Sequence, residues 1–118
     1  MAVKFPVAWY IKKQFGIMPQ ILSKHEELKL LRAWKEQGEK RALEKLVTSH
    51  LFLVVRIAAS FYQFRHLFDD LVQAGNVGLV KAIEQFNPRA GAKFHTYATH
   101  LITGEIRHYL RDKTSMIR

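Results

Sequence analysis

Asp69-Asp70-Leu71-Val72-Gln73-Ala74-Gly75-Asn76-Val77-Gly78-Leu79-Val80-Lys81-Ala82-Ile83-Glu84-Gln85-Phe86 is the stretch on which the fold turns. Its periodicity is helical: Val72, Leu79, Ile83 and Phe86 fall on one face. The two aspartates open it, where carboxylates favour the unpaired N-terminal amides, and they read as a capping pair rather than a metal site. A second face is small, with Gly75, Gly78 and Ala82 at spacings of three and four. A mid-helix glycine costs about 0.5–1 kcal/mol against alanine, so two of them need a reason. Close approach by another helix, which a larger side chain would prevent, is that reason. The segment therefore predicts a helix with neighbours on two sides.

Working outward, Asn87-Pro88-Arg89-Ala90-Gly91 reads as a turn, with Pro88 fixing φ and Gly91 free to take a positive one. A last helix is predicted from about 93 towards 111, with Phe94, Ala98, Leu101 or Ile102, and Ile106 facing inward. Upstream, residues 40–61 carry apolar side chains at 47, 51, 54, 58 and 61, one stripe of a helix. Ser23 and Glu26 form a capping box that starts a helix through Leu28, Leu30, Leu31 and Trp34, stopped at Gly38. An amphipathic helix over 3–15 precedes it, ending near Gly16 and Pro19. No repeat or low-complexity stretch occurs. The expected fold is all-α, a compact bundle of about five helices.

The chain has 118 residues, enough for one domain with a sizeable core. Hydrophobic residues at 48% and charged residues at 25% exclude a disordered composition. There is no cysteine, which excludes disulfides and thiolate metal sites. Apolar runs such as 51–55 fall far short of a bilayer span, and the N-terminus, with Lys4, Lys12 and Lys13, shows no export signal. A cytoplasmic, nucleoid-associated protein without membrane contact is expected. Nineteen Lys and Arg against ten Asp and Glu give a formal charge of +9, which favours a polyanionic partner, nucleic acid foremost.

Catalytic patterns are missing. Gly75-Asn76-Val77-Gly78 lacks the spacing and the preceding strand of a dinucleotide fingerprint. His95, His100 and His108 fall five and eight apart, not at the spacing of a helical zinc pair, and read as surface or DNA-facing residues. Ser49 and His50 are expected to point to different sides of their helix and make no nucleophile–base pair. No enzyme, no metal and no cofactor is expected.

Between 86 and 107 aromatic faces alternate with cations: Phe86, Phe94 and Tyr97 stand beside Arg89, Lys93 and Arg107. Single-stranded DNA is bound by such a mixture, with cations on phosphates and rings on unpaired bases, at about 1–3 kcal/mol per base. Rings at helical spacing also serve as packing, and Phe94 divides evenly between the two uses. Tyr97 leans to the ligand, because its hydroxyl needs a partner and two cations stand near it in sequence.

These residues carry a resemblance. Asp70-Leu71-Val72-Gln73-Ala74-Gly75-Asn76-Val77-Gly78-Leu79, followed by Lys81-Ala82 and Phe86-Asn87-Pro88, resembles the polymerase-binding helix of bacterial RNA polymerase sigma factors. Lys93-Phe94-His95-Thr96-Tyr97-Ala98-Thr99 is similar to the melting motif of that family. Tyr10-Ile11 and Ile21-Leu22-Ser23-Lys24-His25-Glu26-Glu27 resemble the segment preceding region two, and Leu46-Val47-Thr48-Ser49-His50-Leu51 through Ala58 its first helix. The likeness runs over about residues 10–112. It implies a division into 1–45, the preceding helices, and 46–118, region two, packed as one globular domain. Gly104-Glu105-Ile106-Arg107-His108-Tyr109-Leu110-Arg111-Asp112-Lys113 resembles the alternative, stress- or sporulation-type members.

The resemblance implies a function. Asp70, Gln73 and Asn76 would contact the coiled coil of the β′ clamp of core RNA polymerase, with Ala74 standing where the family often has glutamate. Phe86, Thr96 and Tyr97 would hold the flipped adenine of the promoter −10 element on the non-template strand, Tyr97 by stacking. Arg89 and Lys93 would contact phosphates beside that pocket, and His50 would lie near a second flipped base. Arg107 and Arg111 would approach duplex or non-template phosphates. His100 and Leu101 replace a tryptophan pair that wedges the duplex open in housekeeping members, which implies weaker melting and more dependence on a near-consensus site. Two rivals remain: a stand-alone helical regulator reading duplex DNA, and a module held mainly by an anti-sigma factor. The chain ends in a basic segment without a helix stop, so a piece of a longer protein is expected.

Overall fold

The computed structural model describes residues 7–16 and 20–115. Among these lie five α-helices and two short 3₁₀ turns, in the order α1 (Val7–Phe15), α2 (Lys24–Gln37), α3 (Lys40–Ser60), a 3₁₀ turn (Tyr62–Leu67), α4 (Phe68–Gln85), a second turn (Pro88–Ala90) and α5 (Phe94–Ser115). The fold is all-α, as the sequence predicts. The start of the expected first helix, residues 3–6, and Pro19 lie outside the described residues.

Local signals set most boundaries. Ser23 Oγ accepts from the Glu26 amide at 3.2 Å while Glu26 Oε1 accepts from the Ser23 amide at 3.3 Å, so the capping box is closed in both directions. Gly38, at φ +64°, ends α2 and donates to the Trp34 carbonyl at 2.9 Å. Gly91, at φ +80°, closes the turn before α5, and Asn87 Oδ1 accepts from the Arg89 amide at 3.0 Å.

α4 is the central element, covered by α3 on one side and α5 on another. Leu71, Val72, Leu79 and Ile83 of α4 are fully buried, as are Val54 and Val55 of α3 and Ile102 and Ile106 of α5. The small face does what its composition demands. A Cβ on Gly78 would lie 2.5 Å from the Leu101 carbonyl oxygen and 2.8 Å from Ile102 Cα, so the α5 backbone rests directly on this glycine. At Gly75 the neighbours are side-chain tips, Val54 Cγ1 at 2.8 Å and Ile102 Cγ2 at 3.2 Å. Of the two inward candidates on α5, Ile102 is fully buried and Leu101 only partly.

The start of α4 corrects the capping reading. The helix begins at Phe68, so Asp69 and Asp70 occupy its first turn, and the N-cap residue, Leu67, makes no side-chain capping bond. Their charge still suits the positive end of the helix, but Asp69 Oδ1 is taken by a tertiary bond: the Tyr10 hydroxyl of α1 donates to it at 2.5 Å. The Phe68 ring meets Tyr10 edge-on at 4.8 Å. Burial, helped by the Asp69 carboxylate, pushes the Tyr10 hydroxyl from its ordinary 10.0 up to about 12. Because the folded state favours the neutral phenol, this contribution is complete below pH 10 and is lost as pH rises through about 12. The melting temperature should therefore fall between these two pH values more steeply in the wild type than in Tyr10→Phe, followed by circular dichroism.

At the far end, Lys35 Nζ of α2 donates to the Glu84 carbonyl of α4 at 2.8 Å, satisfying one of the last-turn carbonyls. That bond holds α2 beside the end of α4, where the aromatic residues gather.

Candidate nucleic-acid interface

The turn after α4 brings its last aromatic against the first turn of α5. Phe86 and Phe94 are almost fully buried, at 4% and 3% exposed, and meet edge-to-face at 5.2 Å between centroids. Phe94 also meets the His50 ring at 5.0 Å, and Phe86 lies 5.7 Å from Tyr97. The four rings form a chain from α3 to α5, and it reaches the surface at half-buried Tyr97, whose hydroxyl donates to Gln85 Oε1 at 3.4 Å. Phe94, left between two uses by its spacing, is core, and Phe86 lies beneath the surface as support for Tyr97.

Cations and polar groups surround this ring. Arg89, Lys93, Thr96 and His100 are exposed on the turn and the first half of α5, and Leu101 is half-buried beside them. Further along α5, Arg107 and Arg111 are exposed. Glu105 forms an ion pair with Lys81 of α4 at 2.5 Å, which ties the middle of the two helices together on the surface.

Two adjoining clefts of about 320 Å³ each open between the start of α2 and the α3–α5 pair, with Glu27 and His95 shared by both. One is lined by Lys24, Leu28, Phe86, Lys93 and Phe94. The other is lined by Ile21, His50, Phe52 and Arg56, with the Arg56 guanidinium 4.6 Å over the Phe52 ring. Each is apolar with a basic rim, a combination suited to a base and its phosphate.

His50 is fixed at both nitrogens. Nε2 faces Glu27 Oε1 at 2.8 Å and Nδ1 faces the Leu46 carbonyl at 2.8 Å, so the ring pins the start of α2 to α3. Ser49 and His50 do not diverge as expected: Ser49 Oγ lies 3.2 Å from His50 Nδ1 because both groups fold back on the same Leu46 carbonyl. Since Nδ1 donates to that carbonyl, it has no lone pair for the serine proton, and the pair is no nucleophile and base.

The second group of candidates lies on the outer side of α4. Asp70 and Gln73 are exposed and, with Val77 at 49% exposure, form a solvent-facing stripe at spacings of three and four. Asn76 is set further in, and its Oδ1 is buried with no hydrogen-bond partner among the described residues. Burial and then the Asp70 carboxylate push the Tyr109 hydroxyl of α5 up, so Asp70 also reaches the end of α5.

Sequence reasoning missed Glu27, Lys24 and Arg56, whereas His95, read there as surface or DNA-facing, is exposed and lines both clefts. Arg56 stands one helical turn from Phe52, a spacing that places guanidinium over ring and could have been read. The pairing of Glu27 with His50, 23 residues apart, had no local signal. Among the described residues no cluster of three or more His, Asp or Glu could hold a metal, and no helix is long and apolar enough to cross a membrane.

Comparison with known proteins places this arrangement. The Sigma-70 region 2 family matches residues 46–116, from α3 to the end of α5. The chain is 41% identical over 118 residues to RNA polymerase sigma factor SigA of Clostridium acetobutylicum, covering all of this chain and 30% of that protein. It is 42% identical over 92 residues to the RNA polymerase sigma-G factor of Bacillus subtilis, covering 78% of this chain and 35% of the relative. To sigma factor RpoH of Caulobacter vibrioides it is 37% identical over 98 residues, covering 83% and 33%. The chain thus spans about a third of the length of each of these three relatives. With the family's signature running through most of the bundle, the chain belongs to the sigma-70 family of RNA polymerase sigma factors as a bearer of its region 2.

Proposed function

We propose that this domain serves transcription initiation in the bacterial cytoplasm by docking on core RNA polymerase through the outer stripe of α4 and capturing unpaired non-template bases of the promoter −10 element at Tyr97 and the two clefts. Asp70, Gln73 and Asn76 offer the polar contacts to the β′ coiled coil, and Val77 adds an apolar one. Arg89 and Lys93 hold phosphates, while Thr96 and Tyr97 receive the flipped base. His50 walls the second cleft, and Arg107 and Arg111 follow the strand upstream. The observation that carries this reading is Tyr97: a half-exposed ring, backed by buried Phe86 and Phe94 and flanked by exposed cations.

No covalent step is involved. An extruded base gains the contacts of the ring and clefts, a paired base does not, and this difference shifts the equilibrium towards open DNA. The acidic stretch that would repel DNA, Asp69 and Asp70, lies at the opposite end of α4 from Phe86.

The test is binding of a fluorescent non-template −10 oligonucleotide, with and without core polymerase. Tight, sequence-dependent binding is expected only in the presence of core. Affinity should fall with salt at a log–log slope of about −0.7 per phosphate contacted. Preference for duplex over the single strand, indifferent to core polymerase, would instead favour a stand-alone duplex reader.

A further inference from the structure

Among the described residues, the two clefts between the start of α2 and the α3–α5 pair have only Glu27 and His95 in common. If each cleft takes a base, the sugar–phosphate link between the two must cross that common wall. The two wall groups are not equivalent. Glu27 is largely covered, at 18% side-chain exposure, and its Oε1 faces His50 Nε2 at 2.8 Å, so it is committed to the tie between α2 and α3. A carboxylate also repels a phosphate. His95 stands exposed in the first turn of α5, and its ring nitrogens have no hydrogen-bond partner among the described residues. Of the two, only His95 is at liberty to meet the strand.

Charged groups surround it from each side of the clefts. α2 supplies Lys24 and Glu27, α3 supplies His50 and Arg56, and the turn before α5 supplies Lys93, while α4 contributes only the uncharged Phe86. Lysine, arginine and carboxylate side chains ordinarily hold their charge across the neutral range, whereas imidazole gains or loses a proton there. The other imidazole, His50, is occupied at both nitrogens by Glu27 and the Leu46 carbonyl. The proton that a bound phosphate can draw on is therefore that of His95.

We propose that His95 holds the phosphate between the two captured bases and does so as imidazolium, so that strand capture tightens as the solution turns acid. Neutral imidazole donates one hydrogen bond, while the cation donates two and carries the charge that a phosphate attracts. A bound phosphate favours the protonated ring, and by the same linkage protonation favours binding, so affinity rises as pH falls. This role rests on the promoter-capture reading above and adds to it the residue that sets its response to pH.

The test measures binding of the fluorescent non-template −10 strand to the protein bound to core polymerase, at pH 8 and pH 6 and over a range of salt. Wild type is compared with His95→Gln, His95→Arg and His66→Gln. The last removes an exposed imidazole from the turn before α4, at the end of that helix opposite Phe86. Wild type should bind roughly fivefold tighter at pH 6, the scale of one partly exposed charged contact. Its log–log salt slope should steepen by about 0.7, from one more phosphate neutralised. His95→Gln should lose most of both differences, and His95→Arg should bind at pH 8 as tightly as wild type does at pH 6. His66→Gln should respond as wild type does. An undiminished pH response in His95→Gln overturns the proposal, as does its loss in His66→Gln, which would assign the response to overall charge. Equal weakening by His95→Gln and His95→Arg at both pH values also overturns it, because the ring would then serve shape and not charge. Failure of the wild type to bind the probe at either pH in the presence of core would overturn the promoter-capture reading itself, a different result from tight binding that ignores His95.

Discussion

Gly78→Ala should lower the free energy of unfolding by about 3 kcal/mol, several times the effect of an ordinary surface change. The added methyl would lie 2.5 Å from the Leu101 carbonyl oxygen, 2.8 Å from Ile102 Cα and 2.9 Å from Ile102 N. Carbon pairs rest at about 3.5–4.0 Å, so relief requires α5 to back away by roughly 1 Å along this contact. Backbone atoms cannot rotate aside as a side chain can. The displacement would open space around Ile102 and Ile106, both fully buried. Gly75→Ala should be milder, about 1–2 kcal/mol, because the atoms it meets are side-chain methyls, Val54 Cγ1 at 2.8 Å the nearest, rather than the backbone of a neighbouring helix. Urea titration of the two variants side by side measures the difference. Equal stabilities would mean that the two helices are not locked at Gly78. The same substitution should also disturb function, since α5 carries Tyr97 and would move as a unit against α4 and Phe86.

This contact also shows what was readable in the sequence and what was not. Two glycines and an alanine at helical spacing demand a close neighbour whatever the rest of the chain does, and Ser23 with Glu26 needs only four residues to close its box. Gly91 likewise declares its own positive φ. Such features depend on local sterics and local hydrogen bonds, and they define the bundle. The tertiary polar ties left no such mark. Tyr10 and Asp69 are 59 residues apart, and nothing near either predicts the bond. The turn over Tyr62–Leu67 was missed because YQFRHL holds no glycine or proline. Its absence from the reading also placed the start of α4 too late, which turned Asp69 and Asp70 into supposed caps. For the site, the alternation of rings and cations was legible, but depth was not. Phe86, Phe94 and Tyr97 look alike in sequence, and only packing separates two buried supports from one surface ring.

That separation makes Tyr97 the position where a substitution reads most directly on strand capture. With core polymerase present, Tyr97→Ala should weaken binding of the single-stranded −10 probe about tenfold or more, given that a stacked base is worth about 1–3 kcal/mol and 1.4 kcal/mol is a factor of ten. Tyr97→Phe should keep most of the affinity, because the ring remains against Phe86 and only the 3.4 Å bond to Gln85 is lost. The comparison matters because Tyr97 is half-buried, so removal of the ring also costs packing. Binding of each variant to core polymerase, which the outer face of α4 is proposed to govern, serves as the check that the bundle is intact. If Tyr97→Ala binds core normally and the probe as tightly as wild type, the base is not stacked here. If it loses the probe while Tyr97→Phe retains it, a ring face is needed and a hydroxyl is not, which is the outcome expected of stacking. Phe86→Leu provides the converse. It removes a buried edge-to-face partner from beneath Tyr97 and should reduce stability first, affecting the probe only as far as the tyrosine ring is left unsupported.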